Sequence, residues 1–269
     1  MFQLNRQSAF TLMELIIVIL LIGILSISFS KILTQSVSSY FDARDRNHHS
    51  QSAKWITESL SRSLREALPQ SVRVASLGNI DCVEYMPIIN ATRYFNLPAS
   101  GAVSSFNIVT FDVAFQANLS AAIMPVDATS LYVGTGVTSE IASITSSGAG
   151  ESLVTLVNPT TFTRRSSQNR VYLLSSPVSF CLNDNTGIIT KYTDYGTSST
   201  QSTPPTGGSS SSLAENTWAN GNAFEFQSGT LQRSALLQMS FVLQDRVRYP
   251  SGTSESVQVF HEVHIRNVP

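Results

Sequence analysis

The chain has 269 residues, with 17 basic and 18 acidic side chains and a net charge near zero. Only 13% of its residues are charged, which argues against a basic face for nucleic acid and predicts no nucleic-acid partner. The length is sufficient for one large domain or two small ones with a buried core.

The first element along the chain is an apolar segment, Phe10 to Ser30, which contains no Lys, Arg, Asp or His. As a helix it would be about 32 Å long, close to the roughly 30 Å hydrocarbon core of a bilayer. A cleaved secretory signal has a shorter apolar segment with a small-residue cleavage site after it, whereas Ala9 lies before this one. We therefore predict a membrane-spanning helix over 10–30.

One acidic residue, Glu14, lies inside this apolar segment. An ionised side chain is unfavourable at the centre of a bilayer, so such a residue has a partner or lies near the interface. If Phe10 marks the interface, Glu14 lies only about 6 Å deep and its carboxylate can reach water. The alternative is that Glu14 pairs with another group within the membrane.

The helical pattern continues beyond the membrane segment, because no proline occurs between Phe10 and Leu68. The apolar residues that recur at spacings of three or four are Ala53, Ile56, Leu60, Leu64 and Ala67. The charged residues of this stretch lie elsewhere on the helix surface, and they are Lys54, Glu58, Arg62, Arg65 and Glu66. The pattern predicts one helix over 10–68 with an amphipathic second half, and we assign no chemistry to Trp55 and Ile56.

After Pro69 the apolar period changes to two, which is typical of strands. One predicted face consists of Val109, Phe111, Val113 and Phe115. Another, near the end of the chain, consists of Val257, Val259, His261, Val263 and Ile265. Further strand candidates are 82–86, 130–134, 152–157, 171–174, 178–182, 187–192 and 236–243. We predict that 69–269 forms a β-rich, antiparallel head.

Residues 197–212 consist only of Ser, Thr, Gln, Pro and Gly, none of which builds a hydrophobic core. We predict a mobile loop within the head, whose deletion should leave assembly of the protein near normal. A receptor-binding loop is the alternative interpretation.

Cys82 and Cys181 are the two cysteines of the chain, and each lies in a predicted strand. In an oxidising compartment, a disulfide closing a loop of about 100 residues contributes up to about 4–5 kcal/mol in the chain-entropy model. Two buried free thiols are the alternative. The wide separation of the two cysteines does not fit the ligand spacing of a zinc site.

The sequence offers no recognisable catalytic constellation. The His-Glu-Val-His stretch 261–264 is one residue shorter than the metalloprotease helix motif, and in a strand its two histidines face opposite sides. His48 and His49 are adjacent on the predicted helix, and we interpret both as solvated surface. The Gly-Thr-Gly stretch 134–136 is too short for a phosphate loop. We predict a protein that is not an enzyme and has neither a metal nor a cofactor.

The start of the apolar segment resembles the signature of type IV prepilins and pseudopilins, a small residue followed by Phe-Thr-Leu-x-Glu. The matching residues are Ala9, Phe10, Thr11, Leu12 and Glu14. The resemblance implies cleavage by the prepilin peptidase between Ala9 and Phe10, N-methylation of Phe10, and removal of 1–9 as a leader. The family usually has Gly where this chain has Ala9, which implies slower cleavage.

The same resemblance implies a role for Glu14. Its carboxylate would pair with the free amino terminus of a neighbouring subunit and so set the axial register of docking.

A second, more local resemblance narrows the family. The stretches 61–74, 82–98 and 263–269 are similar to the O-type class of minor pilin-like proteins of mannose-sensitive haemagglutinin (MSHA) pilus biogenesis. That class is akin to the J-type minor pseudopilins of type II secretion. The implied fold is α+β and type IV pilin-like, in which a long amino-terminal helix, half transmembrane and half amphipathic, packs on an antiparallel β-rich head.

The function implied by these resemblances is that of a minor pilin-like subunit that primes assembly or caps the tip of an MSHA-type pilus. Its partners would be other minor and major pilins, the inner-membrane assembly platform and the prepilin peptidase. Its location would be the bacterial inner membrane, crossed once, with the head in the periplasm, and afterwards the pilus. The alternatives are a minor pseudopilin of a type II secretion system, a pilus-tip adhesin and a membrane-anchored enzyme.

Overall fold

The computed structural model describes residues 11–111, 118–148, 150–229, 233–245 and 255–265. The helices are α1 (Leu12–Arg65) and α2 (Ala128–Val133), and a 3-10 turn covers Pro69–Ser71. The strands are β1 (Arg73–Leu77), β2 (Ile80–Tyr85), β3 (Ile88–Phe95), β4 (Val103–Val109), β5 (Ser120–Ala122), β6 (Thr138–Gly148), β7 (Glu151–Thr160), β8 (Arg170–Leu174), β9 (Val178–Asn183), β10 (Ile188–Thr193), β11 (Ser209–Ala214), β12 (Thr217–Gln227), β13 (Ala235–Gln244) and β14 (Ser256–Ile265).

The amino-terminal pattern folds into one long helix of 54 residues. Thr11 caps its start, since the threonine hydroxyl accepts a hydrogen bond from the backbone N–H of Glu14 at 3.3 Å. The helix ends at Arg65 rather than at Leu68, because the Leu68 N–H bonds instead to the carbonyl of Met86 at 2.9 Å. That bond turns the chain into the head just before Pro69, which cannot donate one.

The strands of the head are all paired antiparallel within the part of the chain that the structure describes. They form a five-stranded sheet (β1-β2-β9-β10-β11), a three-stranded sheet (β12-β13-β14) and a closed barrel (β3-β4-β7-β6-β5-β8). A long apolar helix on antiparallel sheets is the α+β, type IV pilin-like architecture, so the predicted fold class is confirmed.

Three hydrophobic cores lie in the described part of the chain, the third and smallest of them around Leu131 of α2. In the first, Ile56 and Leu60 of α1 pack with Phe180 of β9 and Phe241 of β13, so both open sheets cover one face of the helix. In the second, Phe106 is among the side chains that fill the barrel. Burying each large side chain of this kind stabilises the fold by about 1.5–3 kcal/mol. The helix is therefore attached to the head through the two open sheets.

Most predicted strands are present. The candidates that overlap observed strands are 82–86, 152–157, 171–174, 178–182, 187–192, 236–243 and the alternating segment 257–265. The candidate 130–134 was wrong, since most of it lies in α2. Asp127 caps that helix by accepting from the N–H of Ser130 at 2.8 Å, and Gly134 ends it with a φ of 75°.

Only part of the strand face predicted over 109–115 lies within the described residues. Strand β4 ends at Val109, Phe111 packs against the barrel core, and Val113 and Phe115 lie outside the described residues.

The loop predicted over 197–212 is shorter than the sequence suggested. Residues 209–212 belong to β11, at the edge of the five-stranded sheet, where Ser211 pairs with Lys191 of β10. Backbone hydrogen bonds to β10 place this stretch in the sheet, so it needs no apolar side chains to be ordered. The loop prediction, which was made from composition, was therefore wrong for the last four residues of the segment.

Candidate functional site

The first half of α1 is exposed rather than packed on the described part of the head. Every residue from 11 to 37 is exposed, and an apolar stretch of the helix reaches a mean hydropathy of 2.7. By length and composition, α1 is able to cross a membrane. A bare apolar surface of this size is unfavourable in water, so it requires a lipid or protein environment.

Glu14 lies in the first turn of this exposed half. Its negative charge near the helix start is favoured by the helix dipole by about 0.3–1 kcal/mol. Within the described residues the carboxylate has no ion-pair partner, so a partner would have to come from elsewhere. Ala9 and Phe10, the predicted cleavage junction, lie outside the described residues.

Residues 4–30 match the family model of the prokaryotic N-terminal methylation motif. The match includes the predicted junction, Glu14 and the exposed apolar half of α1. It supports a type IV prepilin-like protein. No curated protein and no solved structure matches the chain.

The second half of this prepilin-like helix lies on the head as its apolar spacing predicts. Ile56, Leu60 and Leu64 are each 0% exposed, and Ala53 is also buried. Trp55, in contrast, is 61% exposed. Successive helical residues are about 100° apart, which turns Trp55 away from the face on which Ile56 is buried.

His49, in the second half of α1, contacts the end of the three-stranded sheet. Its ring is buried, with Nε2 at 3.5 Å from the carboxylate of Asp245, which follows β13. The side-chain amide of Asn216 donates to the same carboxylate. The interpretation of His49 as solvated surface was therefore wrong, whereas His48 is exposed as predicted.

A second contact joins the end of α1 to β14. The Oγ of buried Ser61 lies 2.9 Å from Nε2 of His261, and His264 is exposed on the opposite face of the strand. The alternation predicted for this strand is therefore confirmed. Ser61 lies in the middle of helical backbone whose N–H groups are engaged, so the backbone beside it offers no free N–H to an oxyanion. We interpret the pair as a structural contact.

The disulfide lies in the five-stranded sheet. Cys82 of β2 and Cys181 of β9 are directly opposite in register, with Cα atoms 4.1 Å apart, and the structure joins them. Both side chains are buried, and the bridge links positions 99 residues apart. Among the residues described, no group of three His, Cys, Asp or Glu side chains could hold a metal ion.

The segment that follows β10 crosses the outer face of this sheet, and we refer to residues 195–206 as the strap. Arg73 donates hydrogen bonds to the carbonyls of Ser198 and Ser199, at 2.8 and 2.9 Å respectively. The side-chain amide of Gln201 donates to the carbonyl of Cys82 at 3.2 Å. The strap therefore covers the strand that carries the disulfide.

A buried polar network lies beneath the strap. The Tyr195 hydroxyl donates to Glu84 at 2.7 Å and is 2.8 Å from Oγ of Ser179, while Arg73 forms an ion pair with Glu84. Burial, and then the charge of Glu84, raises the pKa of Tyr195 well above its usual range. The guanidinium of Arg73 also stacks on the ring of Tyr132 in α2, 3.5 Å from its centroid. Arg73 thus connects the sheet, the strap and α2.

Sequence reasoning missed this network because its members come from distant parts of the chain. The one local signal was Glu84, a carboxylate within an otherwise apolar predicted strand. A charged side chain in such a position is buried only when it has partners. Glu84 therefore indicated an ion pair already in the sequence.

Proposed function

We propose that the chain is a minor pilin-like subunit that primes assembly or caps the tip of an MSHA-type type IV pilus. The observation that carries the proposal is the methylation motif on residues 4–30, placed on a helix whose apolar half is bare and whose other half is fixed to a β-rich head. One end of the helix is thereby available to lipid or to other subunits, while the other carries the head.

In this proposal the residues act in sequence. The prepilin peptidase removes the leader 1–9 by cleaving between Ala9 and Phe10, and Phe10 is N-methylated. The helix crosses the inner membrane once over 10–30, with the head, 69–269, in the periplasm. Other minor and major pilins and the assembly platform are its partners.

Glu14 has the central role in docking. A carboxylate within the apolar segment is unfavourable alone, and pairing with the amino terminus of an adjacent subunit neutralises both charges. Because the pair forms at one axial position, it sets the register of the incoming subunit. No residue of the head is required for this step.

The adhesin alternative receives less support from the strap. A receptor-binding loop presents free polar groups, whereas Ser198, Ser199 and Gln201 use backbone or side-chain groups to bind the sheet beneath them. The pseudopilin alternative has the same helix and head. Pilus formation and type II secretion, measured in the cell, must therefore distinguish a pilin-like subunit from a pseudopilin.

The test is to count surface pili by electron microscopy in a null strain and in a Glu14→Gln strain. We expect both to lose pili, with the Glu14→Gln protein still inserted in the membrane. Ser26→Ala is the matched control, because within the described residues the Ser26 hydroxyl bonds to the Ile22 carbonyl of its own helix at 2.7 Å, and piliation should be normal. Normal pili in the null strain would overturn the proposal, and loss of type II secretion there would indicate a pseudopilin.

A further inference from the structure

Strand β12 contains a wide bulge near its centre. The ladder between β12 and β13 is regular up to Ala219 and resumes only at Phe224, so residues 220–223 lie opposite a single residue of β13. A bulge leaves its extra residues outside the ladder of backbone hydrogen bonds. The three-stranded sheet therefore does not hold the backbone of the bulge as it holds the rest of the strand.

Both ends of this bulge are bound to the five-stranded sheet. The backbone N–H of Ala219 donates to a carboxylate oxygen of Asp184, just after β9, at 2.8 Å. The N–H of Ala223 donates to Asp81 of β2 at 3.0 Å. These two bonds join the two open sheets that together cover α1.

The centre of the bulge carries the one Asn-Gly pair of the chain, Asn220 and Gly221. Both residues are exposed, and so is Asn222 after them. Gly221 has a φ of 82°, and a Cβ added there would meet no atom within 4 Å. The backbone nitrogen of Gly221 is therefore outside the ladder and in open surroundings.

An unrestrained Asn-Gly pair undergoes a reaction between its own two residues. The backbone nitrogen of Gly221 loses its proton to base and attacks Cγ of Asn220, and the side-chain nitrogen leaves as ammonia. The new C–N bond closes a five-membered succinimide ring, which forms most readily when the attacking residue has no Cβ. Water then opens the ring at either carbonyl and gives aspartate or isoaspartate. One water is consumed and one ammonia is released, with no change of oxidation state.

We propose that Asn220 is a site of spontaneous deamidation in the folded protein, with the nitrogen of Gly221 as the nucleophile and water as the co-reactant. Asn222 is the comparison within the same bulge. The nitrogen that would attack Asn222 belongs to Ala223, whose N–H is bound to Asp81. Asn222 therefore keeps its amide while Asn220 loses its own.

The product places a new negative charge among acids that already surround the bulge. Asp184 and Asp81 bind the N–H groups one residue before Asn220 and three residues after it. Glu225 accepts a hydrogen bond from the side chain of Asn222 at 3.2 Å. Like charges repel, so deamidation weakens the bonds that join β12 to the five-stranded sheet.

Water labelled with heavy oxygen tests the reaction. The full chain in detergent is incubated in mildly alkaline buffer made with this water, then digested in ordinary water and mapped by mass spectrometry. Deamidation should add about 3 Da at Asn220, because an amino group is replaced by a heavy hydroxyl. The rate should lie within about tenfold of that in a synthetic peptide covering 217–227, since the bulge does not restrain the pair. Asn222 should remain unlabelled.

Three variants identify the reacting groups. Gly221→Ala should slow the labelling about tenfold, because the added Cβ hinders the attack while meeting open space in the fold. Asn220→Gln keeps the glycine of the bulge and should abolish labelling at this position, since its longer side chain closes a ring far more slowly. Asn222→Ala is the matched control and should leave the labelling of Asn220 unchanged.

Asn220→Asp carries the charge of the product and tests the consequence. Its urea midpoint should be lower than that of the parent at low salt, and the difference should shrink at high salt, because salt screens the repulsion. Gln227→Glu adds the same charge at an exposed site of β12 outside the bulge, and it should lower the midpoint less.

Labelling of Asn220 more than about a hundredfold slower in the folded protein than in the peptide would overturn the proposal, because it would show that the sheet restrains the pair. Equal labelling of Asn222, or an unchanged rate in Gly221→Ala, would exclude Gly221 as the nucleophile. An Asn220→Asp protein as stable as the parent at low salt would refute the weakened contact between the sheets.

Discussion

The guanidinium of Arg73 on β1 forms an ion pair with the carboxylate of Glu84 on the neighbouring strand, and the Glu84 side chain is only 3% exposed. The same guanidinium holds two carbonyls of the strap and stacks on α2. A buried carboxylate that loses its cation is strongly destabilising, because its charge stays out of water without compensation. This single residue therefore affects three parts of the head.

Arg73→Met should lower the free energy of unfolding by about 3–5 kcal/mol, since it leaves Glu84 buried without its cation. The double variant Arg73→Met/Glu84→Gln should recover part of that loss, because the uncompensated charge is gone. Urea denaturation of the full chain in detergent measures both. Arg164→Met, at an exposed site, is the control and should be within about 0.5 kcal/mol of the parent. Equal stability of Arg73→Met and the control would contradict the structural role.

Deletion of 197–212 provides a related prediction. From composition we expected the deletion to have little effect, whereas the contacts in the structure predict a loss of stability. The deletion removes the carbonyls bound by Arg73 and four residues of β11, so the head should be destabilised and its yield should fall. Limited proteolysis of the head checks this. Ser211→Ala, an exposed change on the same strand, should leave the protease resistance unchanged. A deletion variant as resistant as the parent would show that the strap contributes nothing.

Stability should decrease at alkaline pH through Tyr195. An unfolded tyrosine loses its proton near pH 10.0, whereas burial and Glu84 keep the folded pKa higher. Unfolding therefore releases a proton above pH 10, and the free energy of unfolding falls by up to about 1.4 kcal/mol per pH unit for this group. Tyr195→Phe should flatten the decline measured by denaturation between pH 9 and 11, and Tyr40→Phe, exposed on α1, should not. An unchanged slope in Tyr195→Phe would refute this assignment.

The cysteines should be found bridged after export. Non-reducing peptide mapping of protein alkylated before lysis should recover the segments containing Cys82 and Cys181 as one species, and reduction should separate them. The bridge should contribute up to about 4–5 kcal/mol to stability, because it closes a long loop in the unfolded chain. Recovery of both residues as alkylated free thiols would contradict the prediction.

Processing should produce a chain that begins at Phe10. Mass spectrometry of the membrane-bound protein should show removal of 1–9 and one added methyl group on the new amino terminus. Ala9→Gly should raise the cleaved fraction, since the family usually has glycine at this position. Only full-length protein, or a cut after residue 30, would exclude processing at this junction.

Local pattern in the sequence determined the long helix, its amphipathic second half and most of the strands. Helical and strand periods are set by backbone geometry, so they can be read wherever one face is buried and the other is solvated. The candidate 130–134 failed because Asp127 and Gly134 cap a helix there, a local signal that outweighed the apolar composition. The methylation motif was likewise contained within a short stretch of residues.

The tertiary structure alone decided which residues of each element meet. Adjacent His48 and His49 differ in burial because only one of them points at Asp245, and Trp55 is exposed because the sheets cover the other side of α1. Arg73, Glu84 and Tyr195 form one network although more than a hundred residues separate the last two. Such contacts depend on how whole sheets pack against a helix, and no periodicity within a single element contains that information.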